Sequence, residues 1–496
     1  MPHSLSQLRA DLEQFAEVLN REEYASRAGL ALESRAGTVR ERFAHLAARD
    51  TLAAVREAAH SATDPEERRR LAYLAEFVGT AALDYRVRAL QDRLQSAEAA
   101  ETLIADGESF PFHAAEGRIK NEGDRARRGA FERARLRAVS GLNGLRREML
   151  EAAHEEALRL GFPGYLPLCE TLSGIRLAEL HTLVAPLLPR TRDAYQEHLG
   201  WHLRRFADVE PGRAHRHDLL RVFRAAPLDG LLPPDRLREA AEAPVRRMGL
   251  DPRAGGRIRV DDLPRPAKSP RAFVAAPRVP EEVILVVRPG GGPDDYAAYL
   301  HELGHALHFA YTDLALPVEY RRLGDASVGE AFAFLFDNQL RERHWLRRFA
   351  GVDRPRDLLR FTAFHKLWYL RRYAAKLEYE LGLHGGEPLR TAAERYRELL
   401  TAAAGVEWPR ETYLSDVDPC FYAARYLRAW IFEAQLRGWL RERFDEEWYR
   451  NDQTGPFLRE LWRQGQRESV EELSARLGIG APALEPLLAQ IMEDLE

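Results

Sequence analysis

Two histidines four residues apart, with a glutamate beside the first, form the segment best suited to chemistry: His301-Glu302-Leu303-Gly304-His305. Residues four apart share one face of a helix, so both imidazoles can reach one ion. Zinc takes such nitrogens at ~2.0–2.1 Å. Glu302 lies one step round the helix, where it can serve a water as general base without being a ligand. A catalytic zinc takes three protein ligands and keeps one position open. Glu330 is the expected third, 25 residues beyond His305. It stands in Ser327-Val-Gly-Glu-Ala-Phe-Ala-Phe-Leu-Phe-Asp337, an apolar run that reads as a buried helix. A carboxylate buried there without a partner would be costly. His308 falls on roughly the same side as His305 and reads as a packing or supporting residue. The spacing predicts one Zn2+ per chain, held by His301, His305 and Glu330, with Glu302 as the catalytic base. The plain alternative is a solvated helix face that happens to carry two histidines.

Helical periodicity dominates the chain that must position these residues. Leu8, Leu12, Phe15 and Leu19 line one face of a first helix, with Ser4 and Gln7 as a capping box before it. Asp64-Pro65-Glu66-Glu67 is a helix start, with a capping residue, a proline and acids in the first turn. Helices are expected to about residue 225. Between 226 and 294 the texture changes to short β-like runs at 257–260, 272–275 and 283–287, bounded by proline and glycine. They predict a small sheet of about three strands just before the His301 helix. Arg288-Pro-Gly-Gly-Gly-Pro293 is a sharp turn, after which Asp294 or Asp295 can cap that helix. Ser469-Val-Glu-Glu472 is a capping box whose helix Gly478 should stop. The expected division is 1–225, a helical lobe; 226–440, the catalytic region; and 441–496, helices packing on that region.

With 73 basic and 77 acidic residues interspersed, no global field points to nucleic acid or an anionic membrane. Only four of the basic residues are lysines, a preference ascribed to genome composition. No stretch approaches the ~20 apolar residues of a membrane span. The opening residues lack the continuous apolar core of a secretion signal. The two cysteines, Cys169 and Cys420, make no disulfide framework and no zinc-ligand pair. A reducing cytoplasm is the expected compartment.

His301-Glu-Leu-Gly-His-Ala-Leu-His308, Ser327-Val-Gly-Glu-Ala-Phe-Ala-Phe334 and Phe421-Tyr-Ala-Ala-Arg-Tyr426 together resemble the thimet oligopeptidase and oligoendopeptidase family of zinc peptidases. Tyr311-Thr-Asp-Leu314, Leu316-Pro-Val318, Arg321-Arg322 and Gly329-Glu330-Ala331 also look like angiotensin-converting enzyme. The local likeness covers about 268–435, and the N-terminal half matches only in being helical. The resemblance implies a mainly α fold, a two-lobed helical ellipsoid with a deep channel and a small sheet beside the zinc helix. It implies cleavage of short peptides, with Val283 to Arg288 as the strand edge that pairs with substrate backbone. It also implies Tyr426 as donor to the tetrahedral oxyanion, with Tyr422 as a second candidate. A neutral phenol suits that task. Arg425 could meet a substrate carboxylate or make an ion pair.

The chain departs from the family's pattern at one place. Relatives carry a histidine about ten residues before that tyrosine, against the substrate carbonyl. Here the segment reads Ser415-Asp-Val-Asp-Pro419. His365 could substitute from another helix, its other reading being structural. The expected activity is oligoendopeptidase-like. The alternatives are a metallocarboxypeptidase of similar helical fold, although Gly329-Glu330-Ala331 replaces the His-Glu-Ser associated with that family, and a metal-bound scaffold without peptidase activity.

Overall fold

A computed structural model describes residues 4–31 and 33–496. The protein is mainly helical, with a two-stranded and a three-stranded sheet. It forms two compact units. One comprises 1–81, 227–362 and 428–490, and the other 82–226, 363–427 and 491–496. This differs from the three consecutive parts expected above. The first unit is assembled from distant stretches because their apolar faces cover the same elements. Its N-terminal helix α1 (Leu5–Arg27) packs on the three-stranded sheet, and a late helix, Thr454–Arg463, packs on the His301 helix.

The three-stranded sheet lies where the sequence places it. Its strands are β3 (Ile258–Asp261), β4 (Phe273–Arg278) and β5 (Glu282–Val286). Its order is β3-β5-β4, with β5 parallel to β3 and antiparallel to β4. Val283 to Val286 are all buried, as a strand covered on both faces requires. The strand expected to offer a free edge is therefore the central one. The two edges belong to β3 and β4. Beyond β5, the helix carrying His301 begins at Gly292, earlier than either aspartate allows, with Gly291 as its capping residue. Asp294 and Asp295 occupy its first turn, where acids favour the helix dipole.

The second unit holds a hairpin inside the stretch expected to be helical. Its strands are β1 (Thr102–Ala105) and β2 (Glu108–Pro111). Asp106 and Gly107 both have positive φ, 52° and 77°, as the tight Asp-Gly hairpin turn demands. Helix signals elsewhere behave as expected. Ser469 and Glu472 cap each other reciprocally, and Gly478 ends that helix in the left-handed conformation. Ser4 accepts from the N–H of Gln7, but the Gln7 side chain turns to Asp11 and the box is half made.

Candidate metal centre

Two helices of the first unit build the site: α3 (Gly292–Tyr311) and α4 (Ala326–Asp337). Leu300, Leu303, Ala306, Leu307 and Ala310 anchor α3 in the core. That leaves His301, Glu302 and His305 half-buried on the neighbouring face. Every residue of α4 from Ser327 to Phe336 is buried. The helices approach closely at Gly304, where an added Cβ would stand 2.7 Å from the Cα of Ala333. Only glycine fits there, and the approach brings Glu330 under the histidines. Asp325 caps α4 by accepting the N–H of Ser327 at 2.9 Å. Arg428 pairs with Asp325 at 2.9 Å and with Glu471 at 2.6 Å, fixing that end of the helix.

Three donor atoms converge between the helices. The Nε2 atoms of His301 and His305 are 3.2 Å apart. The Oε2 of Glu330 lies 3.4 Å from the first and 3.6 Å from the second. Donors placed tetrahedrally about an ion at about 2.05 Å stand about 3.3–3.4 Å from one another. The three separations bracket that value, so these residues fit a tetrahedral cation with its fourth position open. Among the described residues, no other trio of histidine, cysteine or acidic side chains converges in this way.

The surroundings support the same reading. Nδ1 of His301 is 3.1 Å from Oδ2 of Asp337. Donation of that N–H to the carboxylate turns the Nε2 lone pair toward the common point, an arrangement frequent around metal-bound histidines. Burial opposes charge on His301, yet Asp337 and Glu330 outweigh it and raise its pKa to about 10. Burial likewise works against the Glu330 carboxylate, but the two imidazoles hold it well below the usual range. The field at this point favours a cation.

Glu302 is raised by burial, an effect that His305 and His301 partly offset. The nearby backbone N–H of Val274, in edge strand β4, also favours the charged carboxylate. His308 is buried, donates from Nε2 to the carbonyl of Gly465 at 3.1 Å and packs against Phe332. It is a packing residue, as its position suggested.

The other residues singled out belong to the second unit. Tyr422 and Tyr426 are half-buried on the first turns of α6 (Tyr422–Phe444), their rings edge to face at 5.1 Å. Tyr426 also meets Tyr373 at 5.5 Å. Arg425 is buried. Asp416 is bound by Arg372 and accepts from Tyr396 at 2.7 Å. Lys376 reaches Asp418 at 2.7 Å and Asp416 at 3.7 Å. Arg372 and Lys376 both lie on α5 (Arg356–His384). Asp416 and Asp418 are thus engaged in an ion-pair network. His365, on the same helix, stacks on Trp368 and packs against Phe223 and Tyr369.

Sequence reasoning gave no role to Asp337, Gly304 or Val274. Asp337 lies seven residues after Glu330, two turns along the same helix face, which is the signal that could have found it. Neither a family model nor a curated protein matches the chain.

Proposed function

We propose that this chain is a zinc-dependent peptidase that cuts internal bonds of short peptides. The observation that carries the reading is the triangle of His301, His305 and Glu330, with Glu302 beside it. Those three residues would hold the ion. When bound, zinc supplies Lewis acidity that acidifies a water and polarises the scissile carbonyl.

Glu302 accepts the proton of the attacking water and then delivers it to the leaving amine. Its partial burial suits a carboxylate that must take a proton and give it back. Asp337 fixes the ring of His301, and the Val274 N–H steadies Glu302. Tyr426, with Tyr422 as neighbour, is assigned as donor to the oxyanion, an assignment that rests on the likeness of Phe421–Tyr426 to the oligopeptidase segment. Substrate backbone would pair along the sheet edge. That edge is β4 rather than β5, because β5 is the central strand and the Val274 N–H of β4 acts on Glu302. A reducing cytoplasm suits a chain with two free thiols.

Elemental analysis of the purified protein tests the reading. About one zinc per chain is expected, retained in Glu302→Gln and lost in His301→Ala, His305→Ala and Glu330→Ala. Zinc that survives all three ligand substitutions would place the ion elsewhere and end the proposal.

A further inference from the structure

The two cysteines are 251 residues apart in sequence, yet folding brings them into contact within the second unit. Cys169 lies in α2 (Tyr165–Ser173), and Cys420 lies in the turn Pro419–Phe421 that opens α6. Both are free thiols, and their sulfurs are 2.6 Å apart. That is within about half an ångström of the about 2.05 Å of a disulfide bond. Cys169 is buried and Cys420 is partly exposed, so reagents in solvent meet Cys420 first. Burial pushes the Cys169 thiol far up, and its contact with Cys420 adds to this.

The turn itself is unusual. Cys420 and Phe421 both adopt left-handed backbone conformations, φ 42° and 56°, which residues with a Cβ seldom take. Two backbone hydrogen bonds help to hold it. The Cys420 N–H donates to the Tyr165 hydroxyl at 2.9 Å, and the Asp418 N–H donates to Glu380 at 2.8 Å. Tyr165 is stacked on His384 with centroids 4.5 Å apart. The two sulfurs thus meet across a turn that several partners keep in one conformation, and little movement is needed to join them.

We propose that Cys169 and Cys420 are a redox-responsive pair that closes to a disulfide under peroxide and locks the turn at the head of α6. The Cys420 sulfur attacks one peroxide oxygen and the O–O bond breaks, leaving a sulfenic acid and one water. The Cys169 sulfur then attacks the Cys420 sulfur. The S–O bond breaks, and a second water leaves with the Cys169 proton. Two thiols are oxidised and one peroxide is reduced. Intracellular disulfides of this kind are typically transient and redox-sensing, and a small dithiol reverses this one by exchange. Tyr422 and Tyr426 follow two and six residues after Cys420, so the lock bears on peptide turnover if the peptidase reading holds.

The test is to treat the whole protein with hydrogen peroxide and follow it by denaturing, non-reducing mass spectrometry and thiol titration. The expected result is loss of both titratable thiols within one chain, a mass lower by two hydrogens and a peptide linking Cys169 to Cys420. Dithiothreitol should restore both thiols. The oxidised form should melt higher than the reduced one, a shift absent in Cys169→Ser. In that variant Cys420 should be captured as sulfenic acid by dimedone. Cys420 over-oxidised while Cys169 remains titratable, or links only between chains, would overturn the inference. Peptide cleavage is assayed separately. A cross-link without cleavage sinks the peptidase reading alone, and cleavage without a cross-link sinks this inference alone.

Discussion

His301 faces Asp337 on one ring nitrogen and the converging donors on the other, and that division of labour makes three residue-scale predictions. Asp337→Asn should weaken zinc binding about 10–100-fold, as loss of a carboxylate behind a ligand histidine does. Competition with a fluorescent chelator would measure it, and unchanged affinity would remove Asp337 from the centre. Glu302→Gln should keep its zinc and lower kcat by about 10²–10⁴-fold. Tyr426→Phe should lower kcat with little change in KM, and unaltered turnover would take the phenol out of the mechanism. The convergence of His301 and His305 was legible because helical periodicity alone puts residues four apart on one face. Glu330 was legible as an acid in an apolar run. Asp337 carried one local signal, its place seven residues after Glu330 on the same face, but its approach to His301 depends on how two helices cross.

At the scale of elements, the crossing of α3 and α4 decides whether the three donors meet. Gly304→Ala forces the helices apart at Ala333. It should cost about 1–3 kcal/mol in urea unfolding and also weaken zinc binding, whereas full stability with native zinc content would show that the contact gives way freely. The three strands were readable from their alternation with proline and glycine, and the capping box at Ser469 from its residue types. Strand order was not readable, because β5 lies between its neighbours through pairings that no local pattern encodes. The hairpin around Asp106-Gly107 did carry a local signal, the Asp-Gly dipeptide, within a stretch read as helical throughout.

For the molecule as a whole, assembly of each unit from separated stretches brings together groups that sequence distance hides. Cys169 and Cys420 are one case. Another is the pair His154 and His384, whose ring nitrogens are 2.8 Å apart in the second unit. Burial, with His154 adding to it, lowers His384 from 6.5 to about 3, and burial lowers His154 too. Between 6.5 and about 3 the unfolded chain binds more protons at His384 than the folded one. The His384 contribution to stability is therefore complete above pH 6.5 and is lost as pH falls toward 3, at up to about 1.4 kcal/mol per pH unit. Urea unfolding at pH 7 and pH 5 should show the loss, and His384→Gln should flatten the slope. An unchanged slope in that variant would assign the acid sensitivity to other groups. No helix of the described residues is long and apolar enough to cross a membrane.

The most direct test of the central claim is digestion of a mixture of short peptides, read by mass spectrometry for the wild type and Glu302→Gln, with and without a chelator. The wild type should make internal cuts that vanish with chelator, return with zinc and are all but absent in Glu302→Gln. Cuts that persist in the variant or in chelator, release of single C-terminal residues only, or no cleavage by folded, zinc-loaded protein would contradict it.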